Sequence, residues 1–313
     1  MSSQYFRFLC RSAEPRRSAF LEQLLARADG GALVSDWRAD AFRVIAPQAL
    51  WPGVAPAALC ADGAAMDGAA VDAAAVGAAA AGAAWVCLAT PVHYVADMTS
   101  VSMPQGGILS LKQADAETLA LDFNRVWNGS GIRLAAGASA RLYGIFDQTL
   151  NVTTRDPEDV LERHIEEYLP AGADAPRLRQ LMSEIEMWLF EHEVNSTRAH
   201  DGVPRVSGLW LWGGGAPLAS LPRVQGWAAG DDVFFSAFKG EESDSGVIVA
   251  SQAPGEGGWH DIESRWLKPA VAQLRAGRLS RLDVSAGGRC VTLSQRAVRR
   301  FWRRRKPWWE SFA

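Results

Sequence analysis

The strongest constraint on the fold is the alternation in the second half of the chain between short apolar runs and segments of helical period. Leu178, Leu181, Met182, Ile185, Trp188 and Leu189 recur at three and four residues, which predicts a helix over 177–193. VSGLWLW (206–212) follows as a strand running into Gly213-Gly214-Gly215. GVIVAS (246–251) reads as a buried strand, 262–275 as a helix, RLDVS and RCVTL as a hairpin, and 295–303 as a closing helix stopped before Pro307. Strands and helices in alternation predict an α/β chain with a mixed sheet flanked by helices.

The first half is less regular. YFRFLCR (5–11) alternates as a strand, 18–28 has helical spacing, and AFRVIAP (41–47) reads as a strand. WVCLATPVHYVADMTSVSM (85–103) reads as two strands around a turn, 115–127 as a helix, and 132–147 as a hairpin. Asp156-Pro157-Glu158 begins a helix carrying Leu161, Ile165, Tyr168 and Leu169. Between residues 51 and 84, 17 of 34 residues are alanine, which favours helix despite several glycines. The division expected is an N-terminal α/β segment with this alanine-rich region (1–84) and a main α/β domain ending in a basic helix (85–313).

The chain has 313 residues, 32 basic and 35 acidic, for a net charge of −3, so it is not built as a whole to coat nucleic acid. Cys10, Cys60, Cys87 and Cys290 form no CxxC pair and are expected to be reduced and mostly buried. The first 17 residues lack a signal-peptide core, and no run offers about 20 strongly apolar residues. A cytoplasmic protein with no membrane partner is the expectation.

The chain contains no GxxxxGK[ST], no GxSxG and no HExxH. The triglycine has Leu218 where a dinucleotide fingerprint needs its third glycine. His192 and His200 are eight apart across an expected turn, which is not a helical chelate. His93, His164 and His260 stand alone. Thirteen tryptophans are present, and Trp210 and Trp212 share one strand face, either as core or as an aromatic wall beside the triglycine. Arg296, Arg299, Arg300, Arg303, Arg304, Arg305 and Lys306 put seven cations into 11 positions, interleaved with Phe301 and Trp302. Either an amphipathic closing helix with solvated arginines or a surface for a phosphate-rich or acidic partner fits this pattern.

The run WLFEHEVNSTRAHDGVPRVSGLWLWGGGAPLASLP (188–222) resembles a segment of the archaeal-type cofactor-independent phosphoglycerate mutases: a helix ending in His-x-x-Asn, then Arg, Gly, a Trp-Leu-Trp-Gly strand and Leu-Pro. The matching positions are His192, Asn195, Arg198, Gly202, Trp210, Leu211, Trp212, Gly213, Gly215, Leu221 and Pro222. With PVHYVAD (91–97) and RRFWRRRKP (299–307), the chain is also similar to a group of proteobacterial phosphoglycerate-mutase-related, or RpfE-type regulatory, proteins. The resemblance implies partial likeness to the alkaline-phosphatase-like fold and, for an active member, a two-metal site with a phosphoryl-accepting serine. YFRFLCR leads into Ser12-Ala13-Glu14 without a metal-binding aspartate, and the last third offers only His260 and Asp261 as a remnant.

The expectation is therefore a protein with no catalytic residues, no metal and no cofactor, binding a protein partner or a phosphorylated small molecule. Its ligand-binding candidates are His93, His192, Asn195, Arg198, Trp210, Trp212, Gly213, Gly214 and Gly215. Arg198 would supply the fork for an anion, and a Gly213–Gly215 turn would expose amides. The same His192, Asn195 and Arg198 serve equally to cap the long helix against the tryptophan strand. The alternatives are a working mutase or metal-dependent phosphatase, and a nucleic-acid or acidic-protein adaptor through Arg299, Arg300, Arg303, Arg304, Arg305 and Lys306.

Overall fold

A computed structural model describes residues 3–8, 18–33, 36–56, 80, 82–98, 100–137, 140–219, 222–230, 232, 234–235, 238, 245–250, 263–286, 289–300, 304, 306–307 and 310. The chain divides into two compact units, Met1–Trp51 with Pro222–Ala313, and Pro52–Leu221. Neither boundary falls at 84/85. Most of the alanine-rich stretch, residues 57–79 and 81, lies outside the described residues.

The first unit is built on a six-stranded sheet, in which β1 (Ser3–Phe8) lies centrally between β11 (Gly246–Ala250) and β12 (Arg281–Ala286). These strands and the outer β10 (Trp227–Gly230) run parallel. β13 (Arg289–Ser294) and β2 (Asp29–Leu33) complete the other edge antiparallel. Helices α1 (Ala19–Leu25) and α6 (Lys268–Arg275) cover one face, packing Leu21, Leu24, Val271 and Leu274 against Ile248, Leu282 and Val284. Ser18 caps α1 by accepting from the Leu21 amide at 3.0 Å.

Helix α2 (Trp37–Ile45) lies against β11 and β1 and corrects the strand expected at 41–47. Asp36 accepts from the Ala39 amide at 3.1 Å as its N-cap, and Trp37, Ala41, Phe42 and Ile45 are buried at helical spacing. Phe42, Trp51, Phe234 and Phe238 form an aromatic cluster with ring centroids 4.5–5.7 Å apart.

The second unit holds an antiparallel sheet in the order β6 (Ile132–Ala136), β7 (Leu142–Phe146), β3 (Trp85–Val92), β9 (Gly208–Gly215). Helix α3 (Gln113–Val126) packs on β6, and α4 (Ala175–Phe190) packs on β9. Helix α5 (Glu193–His200) follows α4 directly. β4 (Val95–Ala96), β5 (Val101–Met103) and β8 (Arg163–His164) form a small separate sheet. The mixed α/β architecture with flanking helices agrees with the sequence.

Two further helices are corrected. The segment from Asp156 forms two 3₁₀ turns, Pro157–Val160 and Ile165–Tyr168. Glu162 has φ +60, which breaks a right-handed helix, and Arg163 and His164 pair with Met103 and Ser102. The closing helix is reduced over its described part to a 3₁₀ turn, Ala297–Arg299, anchored by buried Ala297 and Val298. Among the described residues, Cys87 is buried and Cys290 half-buried, and burial holds the Cys87 thiol far above its ordinary pKa.

Candidate functional site

Of the residues singled out in 188–222, Asn195 and Arg198 reach the loop 203–207, which joins α5 to β9. Helix α4 ends at Phe190, and His192 starts α5 by accepting from the Val194 amide at Nδ1, 3.2 Å away. That bond requires an unprotonated Nδ1, which leaves the ring proton on Nε2, 3.5 Å from Asp122 on α3. The ring also packs edge-on against Trp188, centroids 4.6 Å apart.

Asn195 is 1% exposed and fully engaged. Its Nδ2 donates to the carbonyls of Leu189 (2.7 Å) and Val206 (2.9 Å), and its Oδ1 accepts from the Val206 amide at 2.7 Å. The side chain thus completes a two-way pairing with one residue of the loop and closes the last turn of α4. Arg198, also buried, donates from Nε to Pro204 O at 2.8 Å and from Nη1 to Ser110 O at 3.4 Å. His93 sits just past β3, with Nδ1 3.0 Å from the Arg205 carbonyl and 3.3 Å from Ser207 Oγ. Ser207 donates its amide to Val92 O, and its hydroxyl accepts from the Tyr94 amide. Three side chains, Asn195 and Arg198 from α5 and His93 from the end of β3, therefore hold Pro204, Arg205, Val206 and Ser207.

The tryptophans are core. Trp210 and Trp212 are both buried and lie opposite Thr90 and Leu88 across β3–β9. Trp210 Nε1 donates to Arg155 O at 2.7 Å, and Trp212 Nε1 to Thr90 Oγ1 at 2.8 Å. The triglycine is strand rather than turn, forming the last three residues of β9. Between the pairs Leu88–Trp212 and Val86–Gly215 the register slips, and Gly213 takes φ +64, a left-handed geometry that favours glycine. Its amide donates to Thr154 Oγ1 at 3.2 Å. A Cβ on Gly214 would lie 1.9 Å from the Trp85 ring, and one on Gly215 2.8 Å from Pro52 O. The three glycines allow close packing.

Beneath this frame, Tyr94 and Glu186 meet at Gly208, whose missing Cβ leaves room for both. Burial raises the Glu186 carboxyl, and burial reinforced by the Glu186 charge raises the Tyr94 phenol. Sequence reasoning passed over these two residues along with Thr90, Thr154 and Ser207. A polar residue facing an otherwise apolar strand is the signal that marks Thr90.

The two-metal site that the resemblance implies needs several carboxylate and imidazole donors around one point. His192 and Asp122 approach each other, but His192 Nδ1 serves the helix cap and Asp122 pairs with Arg125 at 2.8 Å. No group of three or more His, Cys, Asp and Glu side chains arranged for a metal occurs among the described residues. The donor set there does not fit the group. His260 and Asp261 lie outside the described residues. Of the basic C-terminal residues, Arg299, Arg304 and Lys306 are exposed, Arg300 pairs with Asp29, and Arg303 and Arg305 lie outside the description.

No family model matches the chain. A 93-residue segment is 33% identical to the 2,3-bisphosphoglycerate-independent phosphoglycerate mutase of Methanothrix thermoacetophila, covering 30% of this chain and 24% of that protein. The chain is weakly homologous to the cofactor-independent phosphoglycerate mutases. The protein of the same description from Methanosarcina mazei is 28% identical over 111 residues, 35% of this chain and 28% of the relative. The chain thus matches about a quarter of the length of these curated relatives. Among solved structures, the cofactor-independent phosphoglycerate mutase from Thermoplasma acidophilum aligns over 94% of this chain and 89% of its own, at 12% identity and a TM-score of 0.37. Among the described residues no helix is long and apolar enough to cross a membrane.

Proposed function

We propose that this chain is a non-catalytic, phosphoglycerate-mutase-like regulatory protein of the cytoplasm that acts by binding a partner. The observation that carries this reading is the use of His192, Asn195 and Arg198 within the fold. Each is spent on backbone groups of its own helix end, the 203–207 loop or Ser110. Withdrawing any of them toward a substrate would orphan buried carbonyls or amides. Of the two partner classes, a protein is favoured over a phosphorylated small molecule. Met187 and Phe190 are 70% and 68% exposed one helical turn apart on α4, an apolar pair suited to a protein surface.

The test is direct. Full-length chain with manganese and 2-phosphoglycerate is expected to form 3-phosphoglycerate no faster than buffer. Turnover that disappears in a folded His192→Ala variant would overturn the reading. In parallel, a melting midpoint unchanged by millimolar 3-phosphoglycerate supports a protein partner, and a raised midpoint selects the phosphorylated ligand.

The working mutase or phosphatase is the second reading, favoured by what the relatives are described as. An adaptor role through the basic terminus is favoured by the exposure of Arg299, Arg304 and Lys306. If that reading holds, an oligonucleotide binds with steep salt dependence. Changing these three residues to alanine then lowers the log–log slope by about 2 to 3. Salt-independent binding, or a slope unchanged in the triple variant, would count against it. Substitution is preferable to truncation because Val298 belongs to the core.

A further inference from the structure

A cavity of about 190 Å³ lies within the unit Pro52–Leu221, between α4 and the β6–β7 hairpin. Trp127, Phe146, Leu150 and Leu181 give it an apolar wall, and Arg177 and Glu184 also line it. An apolar lining with a few convergent polar groups is the usual make-up of a small-molecule site. The two charged residues are seven apart on α4, on one face and about 10 Å along the axis. Neither has an oppositely charged partner among the described residues. Instead Arg177 Nη1 donates to Gln148 Oε1 at 3.0 Å, and Glu184 accepts from Gln180 Nε2 at 2.9 Å. Neutral amides thus orient both charges without cancelling them.

Volume sets the size of the occupant. A cavity of about 150 Å³ suffices for benzene, so this one takes a single ring with short substituents. Charge sets its ends. A carboxylate meets the guanidinium in a charge-assisted, bidentate geometry, and a donor meets the carboxylate. A ligand anionic at both ends would meet repulsion at Glu184.

We propose that this cavity binds a single-ring aromatic carboxylate carrying a hydrogen-bond donor at the opposite end of the ring. The carboxylate lies on Arg177, the donor on Glu184 and the ring against the apolar wall. The site is separate from the 203–207 loop and does not rest on the reading proposed above.

Titration calorimetry of the full-length chain with 3-(4-hydroxyphenyl)propionate tests it. Saturable one-to-one binding is expected, with the neutral amide of the same compound at least tenfold weaker. Arg177→Gln, at an exposed side chain, should bring the acid down to the amide's affinity. Leu181→Trp should fill the cavity and abolish binding of both. Absence of saturable binding by the acid, or an acid affinity unchanged in Arg177→Gln, would overturn the proposal. The Arg177 comparison stands even if Leu181→Trp disturbs packing.

Discussion

Asn195→Ala is expected to lower the unfolding free energy of the unit Pro52–Leu221 by about 2–4 kcal/mol, measured by urea denaturation. The substitution deletes three hydrogen bonds of 2.7–2.9 Å at a site 1% exposed. It leaves the Val206 carbonyl and amide without Asn195 as partner and takes one of its donors from the Leu189 carbonyl, which still accepts from the His192 amide, and the cost of orphaned buried groups exceeds the modest gain from a satisfied bond. Asn195→Asp should be worse despite its near-identical shape. Both carbonyls would then face an oxygen in place of an N–H, and a charge would be buried. A loss below about 0.5 kcal/mol in Asn195→Ala, the level of ordinary surface changes, would show that the loop does not depend on this side chain.

The second large effect lies in the other unit. Arg38 and Asp232 form an ion pair in which the two side chains are 6% and 2% exposed, with Arg38 Nη2 and Nε at 2.7 and 2.9 Å from Asp232 Oδ2. Asp232 Oδ1 also accepts from the amides of Phe234 and Phe235. Asp232→Ala removes the carboxylate from a buried guanidinium and the acceptor from the Phe234 and Phe235 amides, and a loss of about 3–5 kcal/mol is expected. The double change Arg38→Met with Asp232→Ala should recover part of that loss, since a buried cation that has lost its carboxylate costs more than an apolar side chain of similar size. It should not recover all of it, because the Phe234 and Phe235 amides remain unserved. Equal stability of the single and double variants would contradict this account.

The elements that sequence reasoning placed well are those in which one physical signal dominates. Helix α4 has six apolar residues at helical spacing, and the β12–β13 hairpin alternates cleanly around its turn. The failures have identifiable causes. AFRVIAP (41–47) reads as a strand, but Asp36 in the N-cap position and the Trp37, Ala41, Phe42, Ile45 spacing prevail. In 156–169 the apolar positions fit a helix, yet Glu162 turns left-handed so that Arg163 and His164 can pair with β5. Local periodicity carries no information about that non-local pairing.

The candidate site was legible as a list of residues and ambiguous as a function. His192, Asn195 and Arg198 stood out by spacing, with helix capping and anion binding both open. The distinction rests on what Val206 and Pro204 offer in space, which lies beyond any window of neighbours. Likewise the triglycine suggested exposed amides, because nothing local announces that the Trp85 ring occupies the space above Gly214. The Arg177–Glu184 cavity left no sequence signal, since its wall combines α4 with residues 127–150.

His192, Asn195 and Arg198 are engaged with backbone groups of their own fold. Amide hydrogen exchange at Val206 measures this most directly, with and without saturating 3-phosphoglycerate. The expected result is deep protection, with exchange only through unfolding of the whole unit and no change on adding the compound. Rapid exchange in the free protein, or protection that depends on phosphoglycerate, would contradict it.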